Sequence, residues 1–105
     1  MKSVFIASAR RTPIGKFGGS FSNLAAVDLG VVAVQAALDS AGVEAGEVDE
    51  VIMGQARQAG NGPNPGRQVG IRSGVPDRST AYTVNQACGS GLKSIILAYQ
   101  EILLC

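Results

Sequence analysis

The stretch 88–104 constrains this chain most. Leu92, Ile95, Ile96, Leu97, Tyr99, Ile102, Leu103 and Leu104 fall around the whole circumference of a helix. A helix that is apolar on nearly every side belongs in the interior of a large protein. Ahead of it, the run 81–85 (Ala-Tyr-Thr-Val-Asn) predicts a short strand. Between the two lies Gln86-Ala87-Cys88-Gly89-Ser90-Gly91, a polar turn holding one thiol and two glycines.

The rest of the chain reads as strand and helix in alternation. Residues 2–9 are rich in Val, Phe and Ile and predict a buried strand. Residues 10–19 form a loop, punctuated by Pro13, Gly15, Gly18 and Gly19. Leu24, Val27, Val31, Val34 and Leu38 recur at helical spacing, with Ser22 as the expected N-cap and Gly42 as the terminating glycine. Leu29, Val32, Ala33 and Ala36 widen that stripe, so the helix is expected to be covered on more than one side. After the acidic connection 44–49, residues 50–54 predict a second strand and 55–63 an irregular loop. Asn64-Pro65 predicts a helix start, with Asn as cap and Pro in the first helical position, and the helix ends near Gly74. Gly66 and Gly70 make that helix intrinsically poor, so packing must hold it.

This alternation predicts an α/β layer with a mostly parallel sheet, in the order strand-helix-strand-helix-strand-helix. The pieces do not close on themselves, because three strands cannot cover a helix buried on all sides. An α/β unit should also return a further strand after its last helix. The expectation is therefore one incomplete domain over residues 1–105, the N-terminal part of something larger.

Hydrophobic residues make up 46% of the 105 and charged residues 16%, which argues against disorder. A net charge of +1 gives no electrostatic case for nucleic acid or an anionic membrane surface. No stretch reaches the length of a membrane span, and the apolar part of the N-terminus is too short for a signal peptide. A cytoplasmic location is expected. Two cysteines in unlike surroundings fit a reducing compartment better than a disulfide framework.

Cys88 is the candidate catalytic residue. Free cysteines are usually small buried hydrophobes, and Cys105 is read that way. Cys88 differs in its setting. N–H groups at a helix start are unpaired and carry partial positive charge, which favours thiolate, the reactive form. Gly89 and Gly91 remove side chains where a substrate would approach, and a strand–turn–helix bend can project a reactive atom. The chain contains no histidine, so the base that usually assists a thiol nucleophile cannot come from within it. Gly60-Asn61-Gly62-Pro63-Asn64-Pro65-Gly66 superficially suggests a dinucleotide loop. It stands too far from the preceding strand, and its two prolines lack the donors a pyrophosphate needs. Gly15-Lys16-Phe17-Gly18-Gly19 lacks P-loop spacing and reads as a turn, with Arg10, Arg11 and Lys16 as solvated loop charges. No metal-ligand pattern and no resident cofactor are expected.

Four blocks carry a family resemblance. They are the segment 9–19 (Ala-Arg-Arg-Thr-Pro-Ile-Gly-Lys-Phe-Gly-Gly), 48–54 (Val-Asp-Glu-Val-Ile-Met-Gly), 64–68 (Asn-Pro-Gly-Arg-Gln) and 84–94 (Val-Asn-Gln-Ala-Cys-Gly-Ser-Gly-Leu-Lys-Ser). In this order and spacing they resemble the N-terminal segment of the thiolase family, closest to its biosynthetic branch, the acetyl-CoA acetyltransferases. The cysteine block alone would fit ketoacyl synthases as well, and the 9–19 loop disfavours those. A 3-ketoacyl-CoA thiolase or a thiolase-like lipid-transfer relative stays open.

The resemblance implies a thioester Claisen condensation and its reverse. Cys88 would accept an acetyl group from acetyl-CoA, with its own N–H in an oxyanion hole, and a second acetyl-CoA would then attack. Coenzyme A thioester is a substrate here, not a cofactor. The resemblance also implies a homo-oligomer, dimer or tetramer, for the full-length protein. In thiolases the strand matching 81–85 pairs with its twin across a two-fold axis, so a non-catalytic strand-pairing role is the second reading. The family's Gly-His-Pro histidine, its second cysteine in Cys-Gly-Gly, its Asn-Glu-Ala-Phe segment and its CoA loop lie beyond position 105. The chain alone is therefore expected to be inactive in condensation. Pro63 stands where relatives often carry Gln, and Gly66 where Ala is common, which is expected to loosen that helix.

Overall fold

The computed structural model describes residues 2–105. Its order is helix α1 (Ala26–Ala41), a 3-10 turn (Ala45–Glu47), strand β1 (Glu50–Gly54), helix α2 (Pro65–Arg72), strand β2 (Thr80–Val84) and helix α3 (Ser90–Leu104). β1 and β2 pair in parallel, Glu50 opposite Thr80 through Gly54 opposite Val84. A parallel pair needs a crossover, and α2 supplies it. α2 packs on both strands and against α1, while α3 packs on β1 and more lightly on β2. The expected α/β class with a parallel sheet stands.

The expected first strand does not form. Residues 2–10 carry no ladder, and Phe5 and Ile6 are 83% and 80% exposed. A strand exists only through a neighbour's N–H and C=O groups. Here a groove of about 960 Å³ opens between this segment (Ala7, Ser8) and β1 (Val51, Ile52), with Leu38 and Ile102 also lining it. Among the described residues, the segment is held by hydrogen bonds from Lys2 Nζ to the Ile102 carbonyl at 3.5 Å and from Arg10 Nη2 to Ser40 Oγ at 3.0 Å.

α1 starts later than expected. Ser22 is spent in a chain of turns, where its N–H donates to Gly19 O and the Leu24 N–H donates to Phe21 O. Ala25 is the N-cap, and the Asp28 carboxylate accepts its N–H at 2.8 Å. Asp28 also pairs with Arg72 of α2 at 2.9 Å. The Ala25 N–H, then the Arg72 guanidinium, hold its carboxyl below the usual carboxylate value. Gly42 ends the helix in the left-handed region at φ 68°, as its position predicts.

α2 is held by packing, as its glycines require. Pro65, Gly66, Val69 and Gly70 are all buried. Gly66 does more than weaken the helix. A Cβ there would stand 2.7 Å from the Tyr82 carbonyl oxygen, so the missing side chain lets α2 seat directly on β2. The Gly66 N–H donates to Thr83 Oγ1 at 2.8 Å, and Thr83 Oγ1 donates to Asn64 Oδ1 at 2.8 Å. Asn64 caps the helix from a left-handed conformation (φ 44°), accepting the Arg67 N–H at 3.2 Å.

Burial is thin. Val27, Val69 and Val75 form the whole buried hydrophobic core among the described residues. The accessible surface is 7250 Å², about a third more than the roughly 5,500 Å² usual for a compact monomer of this mass. α3 is not interior. Leu92, Ile95, Ile96, Tyr99 and Ile102 are all exposed, because only one side of the helix meets the sheet. Cys105 is exposed too, so it does not serve as the expected packing residue. Among the described residues, no helix is long and apolar enough to cross a membrane.

Candidate active site at the Cys88 turn

Cys88 stands in the turn between β2 and α3, exposed, four residues after Val84 and two before Ser90. Both flanking boundaries differ slightly from the sequence reading. β2 ends at Val84 because Asn85 leaves the ladder to shape the turn. Its Nδ2 donates to the Ala56 carbonyl at 2.9 Å, and its Oδ1 accepts the Ala87 N–H at 2.9 Å. This is the local side-chain capture expected of Asn. α3 starts at Ser90, not at Cys88, because residues 86–90 close two overlapping turns first. The Gly89 N–H donates to Gln86 O at 3.0 Å and the Ser90 N–H to Ala87 O at 3.2 Å.

Ala87 sits at φ 49°, one of two non-glycine residues in the left-handed region among the described residues. That conformation costs an L-residue on the order of 1 kcal/mol. It places the strained residue directly before the thiol.

The hydrogen bonds of the turn are selective. The N–H of Gln86 goes to Ser90 Oγ, that of Ala87 to Asn85 Oδ1, that of Gly89 to Gln86 O and that of Ser90 to Ala87 O. Among the described residues, the Cys88 N–H alone of these five finds no acceptor. A preorganised, unpaired donor beside a nucleophilic sulfur is the arrangement that stabilises a developing oxyanion. Beyond it, Gly91, the second residue of α3, has nothing within 4 Å of where a Cβ would stand.

Three supports hold the turn in place. Gly54, at the end of β1, lies against the backbone of Ser90. The Gln55 N–H continues the β1–β2 ladder by donating to Val84 O at 3.0 Å. Ser90 itself is 4% exposed, with its hydroxyl bonded to two residues on the strand side of the thiol, Gln86 and Ala87. Sequence reasoning singled out Gly89 and Gly91 and passed over Ser90. A serine opening an apolar helical run is a recognisable helix-start residue, and that signal was available.

The other flagged segments stay apart from the thiol. The 60–66 loop is folded onto Gln68, whose Nε2 donates to the carbonyls of Asn61 (2.7 Å) and Pro63 (2.8 Å). Tyr82 on β2 has its phenol pushed above the usual tyrosine value, first by burial and then by the nearby charges of Glu50 and Glu101. Among the described residues, no group of three or more His, Cys, Asp or Glu is placed to hold a metal ion.

Comparison with known proteins places the chain in one family and fold. A family described as thiolase, N-terminal domain, matches residues 4–104. Acetyl-CoA acetyltransferase of Rhizobium meliloti (strain 1021) is 53% identical over 100 residues, covering 95% of this chain and 25% of that protein. Acetyl-CoA acetyltransferase of Cupriavidus necator is 50% identical over 103 residues, covering 98% of this chain and 26% of its own length. Among solved structures, the Acat5 thiolase from Ascaris suum in complex with coenzyme A superposes with a TM-score of 0.96 at 39% identity, over 98% of this chain and 27% of that one. The chain spans about a quarter of the length of the relatives it matches.

Proposed function

The chain belongs to the thiolase family, and from that premise we propose that Cys88 is the acyl-accepting nucleophile of acetyl transfer from acetyl-CoA. Residues 1–105 then act as the thiolase N-terminal domain part that carries the acylation turn. The cysteine thiolate attacks the thioester carbonyl carbon and forms the new S–C bond. The negative charge that gathers on the carbonyl oxygen is met by the Cys88 N–H. Collapse of this adduct breaks the bond to coenzyme A, which leaves as thiolate and takes up a proton, and the acetyl group stays on the sulfur. Condensation then needs a carbanion from a second acetyl-CoA, which attacks the acyl carbon, releases the cysteine thiolate and yields acetoacetyl-CoA. Forming that carbanion takes a base, and the chain has no histidine. The half-reaction on Cys88 therefore belongs to this segment and the full condensation does not. Coenzyme A thioesters are substrates, with no resident cofactor, and the setting is cytoplasmic.

One observation carries this reading: among the described residues, only the Cys88 N–H of the exposed turn 86–90 is left without an acceptor. Competitive alkylation with iodoacetamide tests it, followed by mass spectrometry of the two cysteine peptides. Both thiols are exposed, so neither is shielded from the reagent by burial. The proposal expects Cys88 to label faster in the folded chain and the difference to vanish in urea. Equal labelling under native conditions overturns it.

A second reading rests on the outer edge of β2. Thr80 and Val84 face β1, since the Thr80 N–H donates to Asp49 O and Val84 O accepts from Gln55. Ala81 and Thr83 therefore turn their backbone groups away from β1, and only Ala81 O is covered there, by Asn64 Nδ2 at 3.1 Å. An open edge of this kind invites pairing with a second β2, a homo-oligomeric contact that needs no catalysis. Size-exclusion chromatography of the chain, alone and with an intact thiolase, tests it. A monomer that ignores the partner excludes strand pairing.

A further inference from the structure

We infer that Ser90 is a positioning residue for Cys88, fixing the turn so that the Cys88 N–H stays unpaired and aimed outward. The inference rests on the reading of Cys88 as the nucleophile and adds a residue to it. Ser90 Oγ accepts the Gln86 N–H at 2.9 Å and donates to the Ala87 carbonyl at 2.7 Å, so one hydroxyl spans the residues on the strand side of the thiol. The Ser90 N–H reaches the same Ala87 carbonyl at 3.2 Å. Ala87 is thereby held in its left-handed conformation from both ends, by Asn85 at its N–H and by Ser90 twice at its C=O.

The hydroxyl has two effects on the site. Without it, the Gln86 N–H loses its acceptor in a part-buried position, and an unmade hydrogen bond there is costly. The turn would then relax toward ordinary backbone geometry at Ala87, and the direction of the Cys88 N–H would go with it. Burial makes the hydroxyl a fixed strut, since Ser90 is 4% exposed and sits against the end of β1 at Gly54. Ser94, one turn further along, is an internal comparison. It is 9% exposed and its hydroxyl also bonds a backbone carbonyl, that of Gly91 at 2.7 Å, but makes no hydrogen bond to residues 85–90.

The test measures iodoacetamide labelling of Cys88 against Cys105 in the parent chain and in Ser90→Ala, Ser90→Thr and Ser94→Ala, with thermal melting followed on each. Ser90→Ala is expected to slow Cys88 about tenfold, the effect of losing one hydrogen bond of ordinary strength. Cys105 should not change. Ser90→Thr, which keeps the hydroxyl, and Ser94→Ala, which weakens the same helix elsewhere, should label at the parent rate. Amide exchange at Gln86 should speed up in Ser90→Ala alone. A Ser90→Ala chain with parent reactivity overturns the inference, as does equal slowing in Ser94→Ala, which would reduce the effect to helix weakening. If Ser90→Ala fails to fold, Ser90→Thr decides, and a slow Cys88 in that folded variant overturns the inference. A parent chain in which Cys88 is no faster than Cys105 overturns the reading of Cys88 first, and this inference with it.

Discussion

Gly54 and Ser90 meet backbone to backbone, so closely that a Cβ on Gly54 would overlap the Ser90 carbonyl group. The end of β1 and the start of α3 are thereby locked together, and the Cys88 turn is suspended between them. The position of the thiol follows from a side chain that is missing on a different strand.

That contact gives the first prediction. Gly54→Ala must push α3 away from β1, because the atoms it meets are backbone and cannot rotate aside. Overpacking of this kind costs about 1–3 kcal/mol. Urea denaturation should show the loss, and the labelling advantage of Cys88 over Cys105 should shrink with it. An unchanged midpoint would contradict the close approach.

Thr83→Val isolates a buried polar link. The two side chains are nearly the same shape, so packing is preserved while the hydroxyl that accepts the Gly66 N–H and donates to Asn64 Oδ1 is lost. Gly66 is buried, so its N–H would be left without a partner. The expected cost is about 1–3 kcal/mol by chemical denaturation. A neutral substitution would mean that water reaches the Gly66 amide.

Asp28 predicts a term in acid stability. Its carboxyl is held below the usual 3.8, first by the Ala25 N–H and then by Arg72. The folded state therefore binds this proton more weakly than the unfolded state. The contribution is fully present above the unfolded value and fades as pH falls through the lower folded one. In Asp28→Asn that part of the acid dependence should disappear, read as a flatter denaturation midpoint across the carboxylate range. Parallel curves for parent and variant would remove Asp28 from the balance.

Tyr82 acts at the opposite end of the pH scale. Burial, reinforced by Glu50 and Glu101, raises its phenol above the usual 10.0. The folded state holds this proton more tightly. Its contribution is present below the unfolded value and is lost as pH rises through the higher folded one. A phenolate absorbance titration, parent minus Tyr82→Phe, should place the Tyr82 transition above the usual tyrosine range. A difference curve centred at the ordinary value would contradict the burial of the ring.

At several positions where one residue type solves a local backbone problem, the sequence reading came close to the structure, Ser22 being an exception because its expected cap role falls to Ala25. β1 matches at both ends, the Asn64-Pro65 cap starts α2, and Gly42 closes α1 in the left-handed region. Cys88 lies in a turn between strand and helix as its neighbours predicted, and the four motif blocks brought out the family. The misses in burial and pairing share one cause. Residues 2–9 have strand composition but no ladder, and Cys105, expected as a packing residue, is exposed. Composition records which surfaces a segment is suited to bury. Whether a partner stands there depends on residues distant in sequence.

The amino-acid order by itself settled β1, the α2 cap, the stop at Gly42, the turn that holds the thiol and the lineage, because caps, turns and motif spacing act within a few residues along the chain. Tertiary structure alone decided that Gly54 abuts Ser90, that Thr83 receives the Gly66 amide, and that four N–H groups of the turn are satisfied while the one on Cys88 is not. These are contacts or balances among groups whose partners become neighbours only when strand and helix are packed together. No local propensity encodes them.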